Sequence, residues 1–230
     1  EIFGVIGTAV SGTEDTMNLA NLSFTATVGS KALTIALKGA DGNDPSEANP
    51  VTIAFRDETL TTGTPNVRPV TAETHCHLSS GSTLGFTAAL AGRLYVWAID
   101  NAGTVELALS RTADIFPESN LVSPTAEGGA GAADSAAIMY STTARTNVAC
   151  RCIGYIEITT GGVAGEWDNA PTKIQIMGPG VKRSGDVVQV VFTTTGVSAT
   201  GNTIIPYDDT IPQITEGNEY MTLAVTPSSA

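Results

Sequence analysis

The sequence predicts an all-β fold: an antiparallel, β-sandwich-like domain, then a neck segment, then the start of a second β-domain. Of its 230 residues only 11 are Lys or Arg, 24 are Gly, and threonine is abundant. β-Branched residues favour strands, whereas long unbranched side chains favour helices. Short apolar stretches recur between Gly, Pro, Asn and Asp residues, and none keeps a 3.6-residue period. These features favour sheets along the whole chain.

The first two predicted strands are residues 32–38 and 51–56. Both alternate apolar and polar residues, and a cluster of turn-forming residues at 39–45 lies between them. Alternating segments joined by a polar loop are typical of an antiparallel pair with one buried and one solvated face. We therefore expect these two strands to pair with each other.

The strongest local signal is a hairpin with strands at 93–99 and 104–109. Its connection is Asp100-Asn101-Ala102-Gly103, and Asn and Gly tolerate the positive φ angles of tight turns. Further strands are predicted from the same kind of composition and punctuation, at residues 138–142, 148–159, 172–177, 186–195 and 220–226.

The overall charge excludes one class of function. Nucleic-acid-binding proteins usually carry an excess of Lys and Arg, whereas this chain has a formal net charge of −12, so no nucleic-acid partner is expected. No apolar run reaches the roughly 18–20 residues of a membrane span, which predicts no membrane insertion. Three cysteines are too few for a disulfide framework in a chain of this length, so we expect free thiols.

The catalytic motifs that could be recognised locally are missing, and the sequence predicts no enzyme. No Lys follows a Gly, as a phosphate-binding loop requires, and no Gly-x-Gly-x-x-Gly occurs. In the nearest match to a nucleophile elbow, residues 81–85, Thr83 stands where Ser belongs. Paired carboxylates can cleave glycosidic bonds, and the candidate pairs are Asp208 with Asp209 and Glu216 with Glu219.

The segment His75-Cys76-His77 is the candidate metal site. Residues i and i+2 of a strand share a face, so His75 and His77 would point together and Cys76 away from them. In a threefold assembly, three such pairs would place six imidazoles around one axis, an octahedral site for iron or another first-row ion. Alternatively, the two histidines could hold Zn²⁺ with Cys150 and Cys152. The simplest alternative is that they bind no metal, and no cofactor is expected.

Four aromatic residues suggest a second kind of site. Tyr95, Trp97, Tyr155 and Trp167 lie in or near predicted strands and could form a platform on which a sugar stacks. The alternative is that they pack as partly buried side chains of the sheet.

A family resemblance is carried by five segments, residues 27–38, 93–107, 125–135, 140–148 and 153–159. They resemble a domain found in tail fibres and related structural proteins of tailed bacteriophages and prophages. Residues 211–227 resemble the first strand of a β-sandwich placed at the C-terminal end of such proteins.

The resemblance implies a domain organisation: an N-terminal attachment segment at residues 1–23, a β-sandwich-like fibre domain at 24–180, a neck at 181–205 and an incomplete C-terminal tip domain at 206–230. It implies a structural protein of the virion tail, assembled in the host cytoplasm. The expected partners are two further copies in a homotrimer, other tail or baseplate proteins, and a host-surface receptor bound through the distal domain.

Two other functions are compatible with the sequence. The chain could belong to a head or neck fibre or decorate a capsid, since such fibres share these modules. It could also be a carbohydrate-binding or polysaccharide-depolymerising module that uses the aromatic and acidic residues named above.

Overall fold

The computed structural model describes residues 19–56, 65–128 and 133–177, all within the compact unit Glu1–Val181. The strands predicted at 186–195 and 220–226 lie outside these ranges, as do the predicted neck and the predicted tip domain. Twelve strands and no helix are present in the described part of the chain. The strands are β1 Leu19–Ala20, β2 Ser23–Gly29, β3 Ala32–Lys38, β4 Val51–Phe55, β5 Asn66–Val70, β6 His75–Leu78, β7 Ala91–Asn101, β8 Thr104–Ser110, β9 Thr125–Ala126, β10 Tyr140–Ser141, β11 Ala149–Thr159 and β12 Lys173–Ile176.

The strands form three sheets, and the prediction of an antiparallel all-β fold is confirmed. Sheet I has the order β1-β4-β5, sheet II the order β2-β3-β6, and sheet III the order β12-β11-β7-β8-β10-β9. Among these pairs only β9 and β10 run parallel. No described residues form a helix that is both long and apolar enough to cross a membrane.

The predicted pairing of 32–38 with 51–56 is wrong. Both strands exist, but β3 pairs with β2 and β6 in sheet II, whereas β4 pairs with β1 and β5 in sheet I. The partner of β3 is instead the preceding strand, joined through Ser30 and Lys31, which take φ angles of 51° and 64°. This tight turn lacks the usual Asn-Gly signal, so the pattern did not reveal it.

The predicted hairpin is confirmed as β7 and β8. Asn101 pairs with Thr104, and the two turn residues Ala102 and Gly103 have φ angles of 50° and 97°. The carboxylate of Asp100 accepts a hydrogen bond from the Gly103 amide at 2.7 Å, which stabilises the turn. The positive φ predicted for Asn101 thus falls on Ala102.

The other predicted strands differ in how well they match. The strands expected at 148–159 and 172–177 are present as β11 and β12, and β11 pairs with β7 over most of its length, with an irregularity between Cys152 and Gly154. The strand expected at 138–142 shortens to the two residues of β10.

The main core takes apolar side chains from all three sheets. Examples are Ile35 of sheet II, Phe55 of sheet I and Val96 of sheet III, each essentially inaccessible to solvent. Burial of this shared apolar surface is the principal force that holds the sheets together. A second, smaller cluster around Trp97 and Cys150 lies on the opposite face of sheet III, because residues alternate between faces along β7 and β11.

Candidate functional site

His75 and His77 occupy one exposed face of sheet II. Both are exposed on the edge strand β6, and Cys76 between them is 1% exposed on the buried face. The Nδ1 atom of His77 lies 3.0 Å from the Thr34 hydroxyl, and Nδ1 of His75 lies 3.6 Å from a carboxylate oxygen of Glu73. The two imidazoles therefore share a face, as the strand period predicted.

The four-residue zinc site is wrong. Cys150 and Cys152 lie on β11 of sheet III, whereas the two histidines lie on β6 of sheet II. Cys150 is also 1% exposed, and burial raises its pKa to about 12, whereas both histidines are exposed. Within the described ranges no three His, Cys, Asp or Glu side chains are grouped to hold a metal ion. The six-imidazole site needs three copies of the chain and stays a prediction.

The aromatic platform is also not formed as predicted. The side chains of Trp97 and Trp167 are 2% and 0% exposed, so neither can stack on a ligand. The Trp97 indole donates to the Ser110 hydroxyl at 2.8 Å, and the Trp167 indole donates to the Ser82 carbonyl at 3.0 Å. Both tryptophans are packing residues with satisfied N–H groups.

The two tyrosines of the predicted platform do lie together. Tyr95 of β7 and Tyr155 of β11 are cross-strand partners, with ring centroids 6.0 Å apart. Tyr155 is 6% exposed, whereas Tyr95 is partly exposed and borders an open cleft of about 550 Å³. The outer-face cleft, as we call it, is bordered by Tyr95, which lies on the face of sheet III turned away from the main core, and by Arg111, whose guanidinium lies over the Phe86 ring of that core. It is lined by Ala91, Gly92, Arg93, Tyr95, Arg111, Glu157, Ile158, Thr159 and Thr172.

Glu127, a carboxylate that no sequence motif marks, holds the loop after β6. Glu127 accepts hydrogen bonds from the Ser79 hydroxyl at 2.6 Å, the Ser79 amide at 2.7 Å and the Ser82 hydroxyl at 2.6 Å. Burial acts to raise the pKa of Glu127, but the hydrogen bonds from Ser79 and Ser82 outweigh it, so the net pKa is lowered. Glu127 is thus an ionised acceptor, unsuited to act as a general acid. The sequence offered no signal for it beyond its place before a Gly-rich stretch.

The Glu127→Gln variant should lose stability at neutral pH and little at acidic pH. The native pKa is lowered below its ordinary 4.5. The ionised form therefore stabilises the protein above the unfolded-state pKa, and this contribution disappears as the pH falls through the native pKa. Urea unfolding of both proteins near pH 7 and about pH 3 would measure the difference. The same difference at both pH values would contradict the ionic role of Glu127.

No protein-family model, no curated protein and no solved structure matches the chain. The functional proposal therefore rests on the residues of the chain itself.

The acidic pairs at 208–209 and at 216 and 219 lie outside the described residues. In residues 81–85, the nearest match to a nucleophile elbow, the Thr83 hydroxyl accepts a hydrogen bond from the Gly85 amide at 3.2 Å, as in a turn.

Proposed function

We propose that the chain is a structural protein of a bacteriophage virion, part of a tail fibre that projects a distal receptor-binding domain. The observation that carries the proposal is the construction of the described part, which is built of antiparallel sheets around one shared core. Dense strand hydrogen bonding and a packed apolar core suit an appendage that must stay folded outside a cell. The segments that resemble fibre proteins include β3, the β7–β8 hairpin and part of β11.

The arrangement proposed for the fibre domain is β-sandwich-like. The main core takes residues from sheets I and II and from only one face of sheet III, which supports two packed layers. Edge strands such as β6 and β12 carry backbone groups that a neighbouring strand or chain can cover. Ile174 of β12 is 41% exposed, an apolar contribution to such a contact. We therefore propose a homotrimer, with tail or baseplate proteins as further partners.

The native mass should be three times the 23.6 kDa of one chain. Three-fold association covers sheet edges and exposed apolar side chains, so it should persist on dilution to micromolar concentration. Light scattering coupled to size-exclusion chromatography measures the mass directly, with a denatured sample as the single-chain control. A monomeric mass across the concentration range would overturn the trimer.

The position of the protein on the phage particle would distinguish a tail fibre from the alternative functions. Immunogold electron microscopy with antibodies to the folded chain should label the tails of phage particles that carry the gene. Label on the head or neck would favour the head-fibre or capsid-decorating alternative. Release of reducing ends from host polysaccharide, lost on changing Asp208 or Glu216, would favour the depolymerising alternative.

A further inference from the structure

The outer-face cleft has the dimensions of a small-ligand site. Its volume of about 550 Å³ falls within the range of roughly 300–1,000 Å³ for such sites. Its walls come from rigid elements, since Arg93 and Tyr95 lie on β7 and Glu157 and Thr159 lie on the paired strand β11. A ligand would therefore meet side chains that are already in place.

The charge around this cleft opposes the charge of the whole chain. The net charge is −12, yet Arg93 and Arg111 line the cleft, and the ammonium group of Lys173 lies 5.7 Å from the centre of the Tyr155 ring beside it. Glu157 balances one of these cations, because it pairs with Arg93 at 2.7 Å. The cleft thus keeps an excess of positive charge that favours an anionic ligand.

Arg111 is held in position by contacts that do not neutralise its charge. Most cationic side chains in the described ranges pair with a carboxylate, as Lys38 does with Asp44, but Arg111 and Lys173 have none within ion-pair distance among those residues. The Arg111 guanidinium donates to the Gly85 carbonyl and lies 4.7 Å over the Phe86 ring. A guanidinium fixed in this way is well suited to bind a carboxylate through two parallel N–H···O hydrogen bonds.

The other groups that line the cleft can contact a sugar ring through an aromatic surface and through hydrogen bonds. Tyr95 offers part of an aromatic ring against which the C–H face of a pyranose can pack. Glu157 can accept hydrogen bonds from hydroxyls, and the hydroxyls of Thr159 and Thr172 can donate or accept them. We infer that the outer-face cleft binds a carboxylate-bearing saccharide, its carboxylate on Arg111 and its ring against Tyr95. This function goes beyond that of a fibre, which needs no ligand along its body.

The binding test uses the full chain and two matched probes, trigalacturonate and the neutral galactotriose. Isothermal titration calorimetry at low ionic strength should show binding of trigalacturonate and at least roughly tenfold weaker binding of galactotriose, because charge-assisted hydrogen bonds are among the strong ones. Added salt should weaken the trigalacturonate complex. Failure of both probes to bind, or equal affinity for the two, would overturn the inference.

Binding measurements on single-residue variants test whether the ligand occupies the outer-face cleft. Arg111→Gln should weaken trigalacturonate binding by roughly tenfold or more, whereas Lys38→Gln, which removes a cation on sheet II, should leave it unchanged. Should Arg111→Gln fail to fold, Lys173→Gln offers a milder loss of positive charge, with a smaller but measurable weakening. Equal affinities of the cleft variant and the Lys38→Gln control would overturn the site. A trimer that does not bind the probe would overturn this inference and leave the fibre proposal standing.

Discussion

The Gly154→Ala variant is expected to lose about 3 kcal/mol or more of its free energy of unfolding, beyond the usual cost of overpacking. A Cβ at Gly154 would lie 2.3 Å from the backbone oxygen of Gln175 and 2.5 Å from a ring carbon of Phe24. The Gln175 oxygen belongs to the neighbouring strand β12, and it cannot move away without disturbing the pairing of β11 with β12. The Phe24 ring belongs to β2 and to the main core. Equilibrium unfolding in urea would measure the loss.

The matched control is Gly29→Ala, in the last residue of β2. A Cβ there meets nothing within 4 Å. Removing a flexible glycine from a strand stabilises proteins by roughly 0.5–1 kcal/mol, so this variant should unfold at the same or slightly higher urea concentration. Equal unfolding midpoints for the two alanine variants would show that β11 does not lie against β12 and Phe24 as described.

The Trp167→Ala variant should be destabilised by about 3–5 kcal/mol, the usual range for removing a large buried aromatic side chain. Trp167 is 0% exposed, and its ring meets Phe86 edge-to-face with centroids 5.6 Å apart. Its backbone amide also donates to the Lys31 carbonyl at 3.1 Å, in the turn between β2 and β3. Trp167 thus joins the segment after β11 to the β2–β3 turn through its amide, and to Ser82 and Phe86 through its side chain. Thermal unfolding followed by circular dichroism would record the loss as a lower Tm.

Two variants separate packing from the hydrogen bond at this position. Trp167→Phe keeps an aromatic ring and loses the indole donor to Ser82, so it should cost less than the alanine change. Val163→Ala removes a side chain that is 58% exposed and should leave the Tm nearly unchanged. A Trp167→Ala protein as stable as the Val163→Ala protein would contradict the buried placement of Trp167.

The all-β class and the β7–β8 hairpin could be predicted because both depend on local composition and turn chemistry. The true partners of β3 and β4 could not be predicted, because two alternating strands look the same whichever neighbours they have. The partner that each strand pairs with depends on contacts between residues far apart in the sequence, such as the pairing of Leu19 in β1 with Ile53 in β4.

Side-chain roles were predictable to a smaller extent. The period of two placed His75 and His77 on one face correctly, since that period belongs to any strand. The burial of Trp97 and Trp167 could not be predicted from the sequence, because an alternating pattern does not show which face of a strand is covered by other parts of the chain. The role of Glu127 depends on Ser79 and Ser82, more than 40 residues earlier in the chain, and no short motif records such a contact.

Burial of two cysteine thiols should make them resistant to oxidation. Burial raises the pKa of Cys76 to about 12, as it does for Cys150, so both sulfurs stay protonated and enclosed at neutral pH. Oxidants and alkylating reagents attack the thiolate, and such cysteines therefore react slowly. Even in the presence of oxygen, Cys76 and Cys150 should therefore stay chemically intact for as long as the chain stays folded.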